Sequence, residues 1–336
     1  MQRATNAALR KGVMPLHSRL KIATGRQLWE SGLLPPLPTL RPLFLHLPPN
    51  VPSGLGWVDE NAMEHRFTMF VQTAVGKMML DHAPHHCTVH LPAVLPFELP
   101  HVKAKVAEKE YATVEEDIAK YKCREVHWKD FVWPLWQLSR LHEMAHLDPE
   151  AEPLPLSPLS FRETVCGRDT HEFLHHVEAA VQAQLLRLPR DKELTHEKAV
   201  HGKTSNHLSP EKMQRGIAAE KAAAKDLWLY PQLGTDLCPA TAEFVIDDTV
   251  LNVSATTDPR RHWEKGLTEL FAYAALARQQ GMAVGEVGLF YPFSRHLVHV
   301  PIHDWDHRPL FDRVLSSPDV EVGPAPDDLY RAVDSR

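Results

Sequence analysis

The stretch that most restricts the fold of this chain is EFVIDDTVLNVSATT, residues 243–257. Two short β-branched runs flank an Asp-Asp pair, and this pattern predicts a β-hairpin that turns at the acidic pair. A helical periodicity follows over 263–280, and two short apolar runs over 286–291 and 296–301 are predicted strands. A hairpin, a helix and further strands in this order predict an α/β core, with a small mixed sheet flanked by helices.

The preceding sequence is mainly helical. Apolar residues at spacings of three and four predict helices over 60–81, 128–147 and 169–187, and further helices are predicted over 103–122 and 210–229. At 336 residues the chain is long enough for one large domain or two. Five segments are predicted: 1–28, a mitochondrial presequence or basic arm; 29–58, a Pro-rich extended strap; 59–158, a mainly helical region; 159–320, the α/β core; and 321–336, a C-terminal tail.

Composition bears mainly on location and partners. The first 29 residues contain six Arg and Lys but no Asp or Glu, which predicts a mitochondrial presequence and hence the mitochondrial matrix. The Pro-rich strap is expected to lie on a partner or across its own domain, or to serve as a surface linker.

A net charge of -6 argues against a predominantly basic nucleic-acid binder but leaves room for a local basic surface. Four scattered Cys indicate free thiols in a reducing compartment, and no apolar stretch is long enough for a membrane span.

Two histidine motifs are candidate metal sites. His142-Glu143-Met144-Ala145-His146 matches HExxH, which on a helix holds zinc between its two histidines and uses the Glu as the general base of a metalloprotease. In a chain with 22 His this match also arises by chance. The second motif is DHAPHHCTVH, in which His82, His86 and Cys87 are zinc-type ligands, although solvated or locally paired histidines explain the motif equally simply.

A third set of residues surrounds the hairpin. GRDTHEFLHHVEAAV carries Gly167-x-x-x-His171 before the hairpin, and TELFAYAALARQQG carries Glu269-x-x-x-Tyr273 after it. From about 161 to 302 this order resembles the PD-(D/E)XK nuclease superfamily of the RecB/Cas4 type, most of all its mitochondrial genome maintenance exonuclease branch. The resemblance implies a restriction-endonuclease-like core over 159–320. In this resemblance, Glu269 stands where the family has Gln, and Tyr273 matches the family's Tyr.

The resemblance implies a metal-dependent site in which two acids hold Mg²⁺ or Mn²⁺ and a Lys stabilises the transition state. Carried over to this chain, His171 is retained and Glu243 stands at the first acid. Asn252, however, replaces the second acid, and Ser254 replaces the Lys. The site positions are therefore expected to be vestigial, without a catalytic residue, a metal or a cofactor.

Other side chains are candidates for replacing the lost groups. Lys265 and either Arg260 or Arg261 follow the hairpin and are candidate cations. Glu220, on the predicted helix 210–229, stands where many nucleases of this fold place a helical Glu near the metal, although a solvent-facing Glu is the simpler interpretation.

Three functions are expected from these observations. The first is a catalytically inactive, nuclease-like structural subunit or assembly factor of a mitochondrial ribonucleoprotein, with the mitochondrial ribosome as the expected assembly and its proteins and rRNA as partners. Contact with RNA phosphates would then involve basic residues, namely Lys203, Lys212, Arg260 and Arg261. The alternatives are an active Mg²⁺-dependent exonuclease with a rearranged site, and a zinc protease that uses His142 and His146.

Overall fold

The computed structural model describes residues 14–36, 40, 44, 63–106, 108–146, 168–187, 223–256, 259–317 and 320. The chain divides into two compact units. The first contains Met1–Asn50 and Trp228–Arg336, and the second contains Val51–Leu227. The helix over 168–180 belongs to the second unit, and the predicted boundary between 158 and 159 stays a prediction.

The second unit is built mainly from helices. Its elements are α3 (Met63–His82), β1 (Thr88–His90), a 3-10 turn (Pro96–Glu98), α4 (Pro100–Lys103), α5 (Glu108–Lys122), a 3-10 turn (Trp128–Asp130), α6 (Val132–His146), α7 (Arg168–Ala180) and a π turn (Val181–Leu185). Aromatic side chains join three of the helices. Phe67 and Phe70 of α3 lie with ring centroids 5.7 Å from Phe173 of α7 and 5.9 Å from Trp136 of α6, respectively.

The first unit contains most of the sheet. Its elements are α1 (Leu16–Ile22), α2 (Gly25–Glu30), β3 (Phe244–Ile246), β4 (Thr249–Val253), α8 (Pro259–Gln279), β5 (Glu286–Tyr291), β6 (His296–Pro301), α9 (Arg308–Leu310) and a π turn (Phe311–Leu315), and β2 (Asp226–Leu229) begins at the boundary between the units. The six strands form a mixed sheet in the order β1-β2-β3-β4-β5-β6. The predicted α/β class is therefore confirmed. The predicted helix 210–229 is wrong at its end, because residues Asp226–Leu229 form a strand. Leu227 and Leu229 are buried in the alternating pattern of that strand.

The predicted hairpin is present. β3 and β4 are antiparallel, with Phe244 opposite Leu251 and Ile246 opposite Thr249. The turn is the Asp-Asp pair, and Asp247 has a φ of 52°, a left-handed conformation that Asp tolerates better than β-branched residues.

Helix α8 connects β4 to β5, which are parallel neighbours in the sheet. A parallel pair needs such a crossover connection, and α8 packs back against both strands. Gly266 permits this close approach, since a Cβ atom there would lie 3.0 Å from Leu289 Cδ2. β5 then pairs with β6 in the antiparallel direction.

The N-terminal residues belong to the core of the first unit. Leu16, Ala23 and Leu28 of the α1–α2 segment are buried in the same hydrophobic cluster as α8. Gly25 lies against α8 so closely that a Cβ atom would be 2.5 Å from Thr268 Oγ1. Residues 14–28 therefore contribute to the core of the first unit, and the presequence over 1–28 stays a prediction.

Arg19 fixes this segment through an unusual set of partners. The side chain is fully buried, and its guanidinium donates hydrogen bonds to the carbonyl oxygens of Met14, Leu237, Val314 and Ser317 at 2.6–3.0 Å. Several chain segments are thus joined at one buried cation.

The described part of the Pro-rich strap also packs on its own unit. Leu33, Leu34, Leu40 and Phe44 are buried, and the Phe44 ring stacks on Trp263 with centroids 4.6 Å apart. These residues of the strap therefore pack on the first unit, and the role of the whole segment 29–58 stays a prediction. The tail 321–336 lies outside the described residues.

No helix in the described part of the chain is both long enough and apolar enough to cross a lipid bilayer.

Candidate functional site

The hairpin brings two of the predicted site positions side by side. Glu243 precedes β3 and Asn252 lies on β4, and the register of the hairpin continues to make them neighbours. Val245 and Val250, two residues away on the same strands, pack in the core with α8. Because side chains alternate along a strand, Glu243 and Asn252 lie on this same face of the sheet.

Glu243 is bonded within its own hairpin. Its Oε2 accepts a hydrogen bond from the backbone N–H of Val253 at 2.7 Å. Loss of hydration raises the pKa of the Glu243 carboxyl to about 8, the Val253 bond partly offsets this rise, and the negative charge of Glu269 adds to it. The group is therefore mainly protonated at neutral pH.

Helix α8 supplies two more of the predicted positions. Glu269 and Tyr273 are one turn apart, so they lie on the same side of the helix. Loss of hydration raises the pKa of Glu269, and Lys265, one turn earlier, acts in the opposite direction. The pKa of the Tyr273 hydroxyl is raised by burial and then by the nearby charges of Glu269 and Glu243. The structure thus brings Glu243, Glu269 and Tyr273 within electrostatic range of one another.

Asn252 lies beside Glu243 in the hairpin register, and Ser254 follows it just beyond the end of β4. Asn252 is 6% exposed, and its Oδ1 atom is buried without a hydrogen-bond partner among the described residues. Such an atom costs about 1–3 kcal/mol and is uncommon outside functional or strained sites. Ser254 is half-buried just beyond β4, and its backbone N–H donates to Phe290 O at 2.8 Å. A neutral amide and a hydroxyl therefore stand where the resemblance requires an acid and a lysine.

The other nuclease-type candidates are distributed differently. His171 is exposed on α7, in the second unit. Arg260 is exposed in the first turn of α8. The described residues do not include Glu220, Lys203 or Lys212, and they do not include the side chain of Arg261.

The HExxH motif lies on α6 as predicted, but its central acid is engaged. Glu143 is 7% exposed and forms an ion pair with Arg140, one turn earlier. His142 is 3% exposed, and the side chain of His146 lies outside the described residues. A general base must reach a water molecule at the metal, so the buried pairing of Glu143 does not favour protease chemistry.

In the described part of the chain, the candidate ligands of the DHAPHHCTVH motif do not form a metal site together. His86 is exposed, and the buried Cys87 donates its thiol to Thr88 O. His82 instead points to Glu178 of α7, with Nε2 and Oε1 2.8 Å apart.

Glu178 is the centre of a cluster that sequence reasoning missed. Its carboxylate accepts hydrogen bonds from His82 Nε2 and from Trp128 Nε1, and it forms an ion pair with Lys129 at 3.2 Å. Despite burial, these partners lower the pKa of Glu178 to about 2. His82 and Glu178 are 96 positions apart, so no local spacing could have indicated the cluster.

Comparison with protein-family models, curated proteins and solved structures finds no match for this chain. The resemblance to nucleases therefore depends on the order of the sequence motifs and remains an interpretation.

Proposed function

We propose that the first unit is a nuclease-like core without hydrolytic activity. The protein then acts as a structural subunit or assembly factor of a mitochondrial ribonucleoprotein. The assembly that we expect is the mitochondrial ribosome. The observation that carries the proposal is the pair Asn252 and Ser254, which stand at the second-acid and lysine positions of a hairpin of the expected form.

The assignment to a restriction-endonuclease-like core is supported by the order of the elements. The hairpin β3–β4 carries Glu243 and Asn252, and the crossover helix α8 carries Glu269 and Tyr273. The next strand, β5, pairs parallel to β4, as expected when α8 covers the face on which the acids lie. The family resemblance implies the same succession of hairpin, helix and strand.

The absence of catalysis is supported by charge. Metal-dependent phosphodiester hydrolysis needs anionic ligands for the cation and a positive group near the phosphate. Asn252 carries no charge, Ser254 is not a cation, and Glu243 is mainly protonated at neutral pH. Loss of one electrostatic contact commonly lowers kcat by 10²–10³-fold, so loss of two should leave little activity.

A gain-of-function experiment tests this proposal. The purified chain is incubated with labelled single-stranded DNA and RNA in the presence of Mg²⁺ or Mn²⁺, and we expect no cleavage. The double variant Asn252→Asp, Ser254→Lys should acquire metal-dependent cleavage, while the matched single variant Ser254→Lys should not. Cleavage by the unaltered chain that Glu243→Ala abolishes would disprove inactivity.

The assembly role is tested separately by sedimentation. In a mitochondrial extract separated on a sucrose gradient, the chain should migrate with a ribonucleoprotein and shift to lighter fractions after RNase treatment. Migration as a free protein would contradict the assembly role without affecting the conclusion on catalysis.

One observation favours a second candidate, an active nuclease with a rearranged site. Glu269 lies close enough to raise the pKa of Glu243, and Asn252, the register neighbour of Glu243, has its Oδ1 buried without a hydrogen-bond partner among the described residues. Two carboxylates and an amide oxygen are hard oxygen donors of the kind that Mg²⁺ prefers. Glu243, Glu269 and Asn252 would then hold the ion, which when bound would polarise a phosphate and activate water.

This second candidate requires Mg²⁺-dependent cleavage that both Glu243→Gln and Glu269→Gln abolish. Under the first proposal, Glu269→Gln changes stability only. Lys265, exposed on α8, is the candidate cation of the rearranged site, and Lys265→Met should lower its activity.

A further inference from the structure

The Glu178 cluster joins ligand-type atoms from three elements of the second unit. His82 is the last residue of α3, His127 precedes the 3-10 turn Trp128–Asp130, and Glu178 lies on α7. One ligand atom from each of these residues lies within 4.8 Å of the other two. From Glu178 Oε1, the distances are 2.8 Å to His82 Nε2 and 3.5 Å to His127 Nε2.

The carboxylate is held so that one oxygen faces the two imidazoles. Trp128 Nε1 donates to Oε1 at 2.9 Å and fixes the orientation of the group. Lys129 Nζ and His175 Nδ1 lie near the other oxygen, Oε2, at 3.2 and 3.4 Å. Glu178 is 10% exposed at its side chain, whereas His127 is 34% exposed, so solvent reaches the cluster from the histidine side.

We propose that His82, His127 and Glu178 form a binding site for a divalent d-block ion such as Zn²⁺, with solvent in the fourth position. Two imidazoles and one carboxylate are a donor set that zinc uses in proteins when a coordination position stays open. Zinc–ligand bonds of about 2.0–2.2 Å in a tetrahedral arrangement place neighbouring ligand atoms about 3.3–3.6 Å apart. The His127 separation of 3.5 Å lies within this range, and the His82 separation of 2.8 Å, a hydrogen-bond distance, must lengthen when the ion binds.

The protons must be rearranged when the ion binds. Without an ion, His82 Nε2 and His127 Nε2 face a carboxylate oxygen, which accepts but does not donate, so each nitrogen carries the ring proton. His127 Nδ1 accepts a hydrogen bond from the backbone N–H of Lys129 at 3.2 Å, in agreement with this tautomer. Ligation through Nε2 moves each ring proton to Nδ1 and breaks the bond from Lys129, which lowers the affinity.

Lys129 opposes the ion in a second way. Its ammonium group lies 3.2 Å from Glu178 Oε2 and competes for the same carboxylate. Removal of this cation should therefore strengthen binding. A set of unrelated surface histidines would show no such effect.

The experiment is a titration of the full chain, cleared of metal, with Zn²⁺ and separately with Mg²⁺, followed by calorimetry. We expect one equivalent of Zn²⁺ to bind with an affinity that falls at least tenfold in His82→Ala and in Glu178→Gln, and no Mg²⁺ to bind in place of it. Lys129→Met should raise the affinity several-fold. His86→Ala is the matched control, because His86 is an exposed histidine in the segment that follows His82. This variant should retain the affinity of the unaltered chain.

Two results would overturn the proposal. One is a loss in His86→Ala as large as that in His82→Ala, and the other is unchanged affinity in all variants, either of which would assign the bound zinc to exposed histidines. If Glu178→Gln unfolds the second unit, as circular dichroism would show, the Co²⁺ form of the unaltered chain decides instead. Its visible spectrum should show the intense bands of a four-coordinate site, and these bands should be lost in His82→Ala; their absence from the unaltered chain would also disprove the site.

Discussion

The carboxyl group of Glu243 accepts a hydrogen bond from the backbone N–H of Val253, 2.7 Å away on the opposite strand of the hairpin. This contact lies just beyond the last register pair of β3 and β4, so it extends the pairing of the two strands by one side-chain bond. An acid at a position that the resemblance associates with metal binding thereby stabilises the hairpin itself.

The raised pKa of Glu243 makes stability depend on pH. Its folded-state pKa of about 8 exceeds its ordinary value of 4.5, so the folded chain holds the proton more tightly than the unfolded chain. The free energy of unfolding should therefore fall as the pH rises from about 4.5 to 8, by an amount on the order of 5 kcal/mol. Urea denaturation at several pH values measures this, and Glu243→Gln should remove most of the decrease. An equal pH dependence in this variant would contradict the assignment.

Asn252 should be replaceable by an apolar residue at little cost. Because no described residue bonds its buried Oδ1 atom, Asn252→Leu should leave the free energy of unfolding unchanged or raise it by about 1 kcal/mol. Thr249→Val is a suitable companion variant, since Thr249 Oγ1 on the same strand is also buried with no bond to any residue that the structure describes. A loss above about 2 kcal/mol in Asn252→Leu would show that the amide has a structural partner in solution.

Arg19 should be among the most sensitive positions of the first unit. Arg19→Met leaves four carbonyl groups without their donor, and we expect a loss of roughly 3 kcal/mol or more in the free energy of unfolding. Arg26→Ala is the control, because Arg26 is 86% exposed in its pair with Glu30 and should change stability by less than about 0.5 kcal/mol. Similar losses in both variants would disprove the buried role of Arg19.

Glu178 should affect stability in the opposite pH range from Glu243. Its folded-state pKa of about 2 lies below its ordinary value of 4.5, so its contribution is present above pH 4.5 and is lost as the pH falls toward 2. In a chelating buffer, Glu178→Gln should lower the melting temperature at pH 7, with a loss of about 3 kcal/mol in the free energy of unfolding that shrinks as the pH falls from 4.5 toward 2. A pH-independent difference between the two chains would contradict the depressed pKa.

Local patterns in the sequence predicted the parts of the fold that depend on local spacing. The β-branched runs and the Asp-Asp turn indicated the hairpin, and the periodicity of α8 indicated the helix that covers it. Asp226–Leu229 was predicted as the end of a helix because an Ala-rich segment precedes it, whereas the strand is set by its pairing in the sheet. Tertiary pairing overrides local propensity in such short segments.

The acidic cluster could be predicted in part, because Glu243, Glu269 and Tyr273 follow motif spacing. The Glu178 cluster could not, because His82, His127 and Glu178 come from three distant segments that only folding brings together. The N-terminal segment illustrates the same limit. Its basic, acid-free composition indicates a presequence, but the burial of Arg19 depends on carbonyl groups near the other end of the chain.

The two carbonyl partners of Arg19 at Val314 and Ser317 are 295 and 298 positions later in the chain. A ribosome that adds 5–20 residues per second needs roughly 15–60 s to reach them after Arg19 has been made. For most of that interval, until α8 has been made, the apolar residues Leu16, Ala23 and Leu28 lack the helix against which they pack. The contacts that bury Arg19 can therefore form only after Ser317 has been made, and a chaperone that shields the N-terminal segment until then would prevent aggregation.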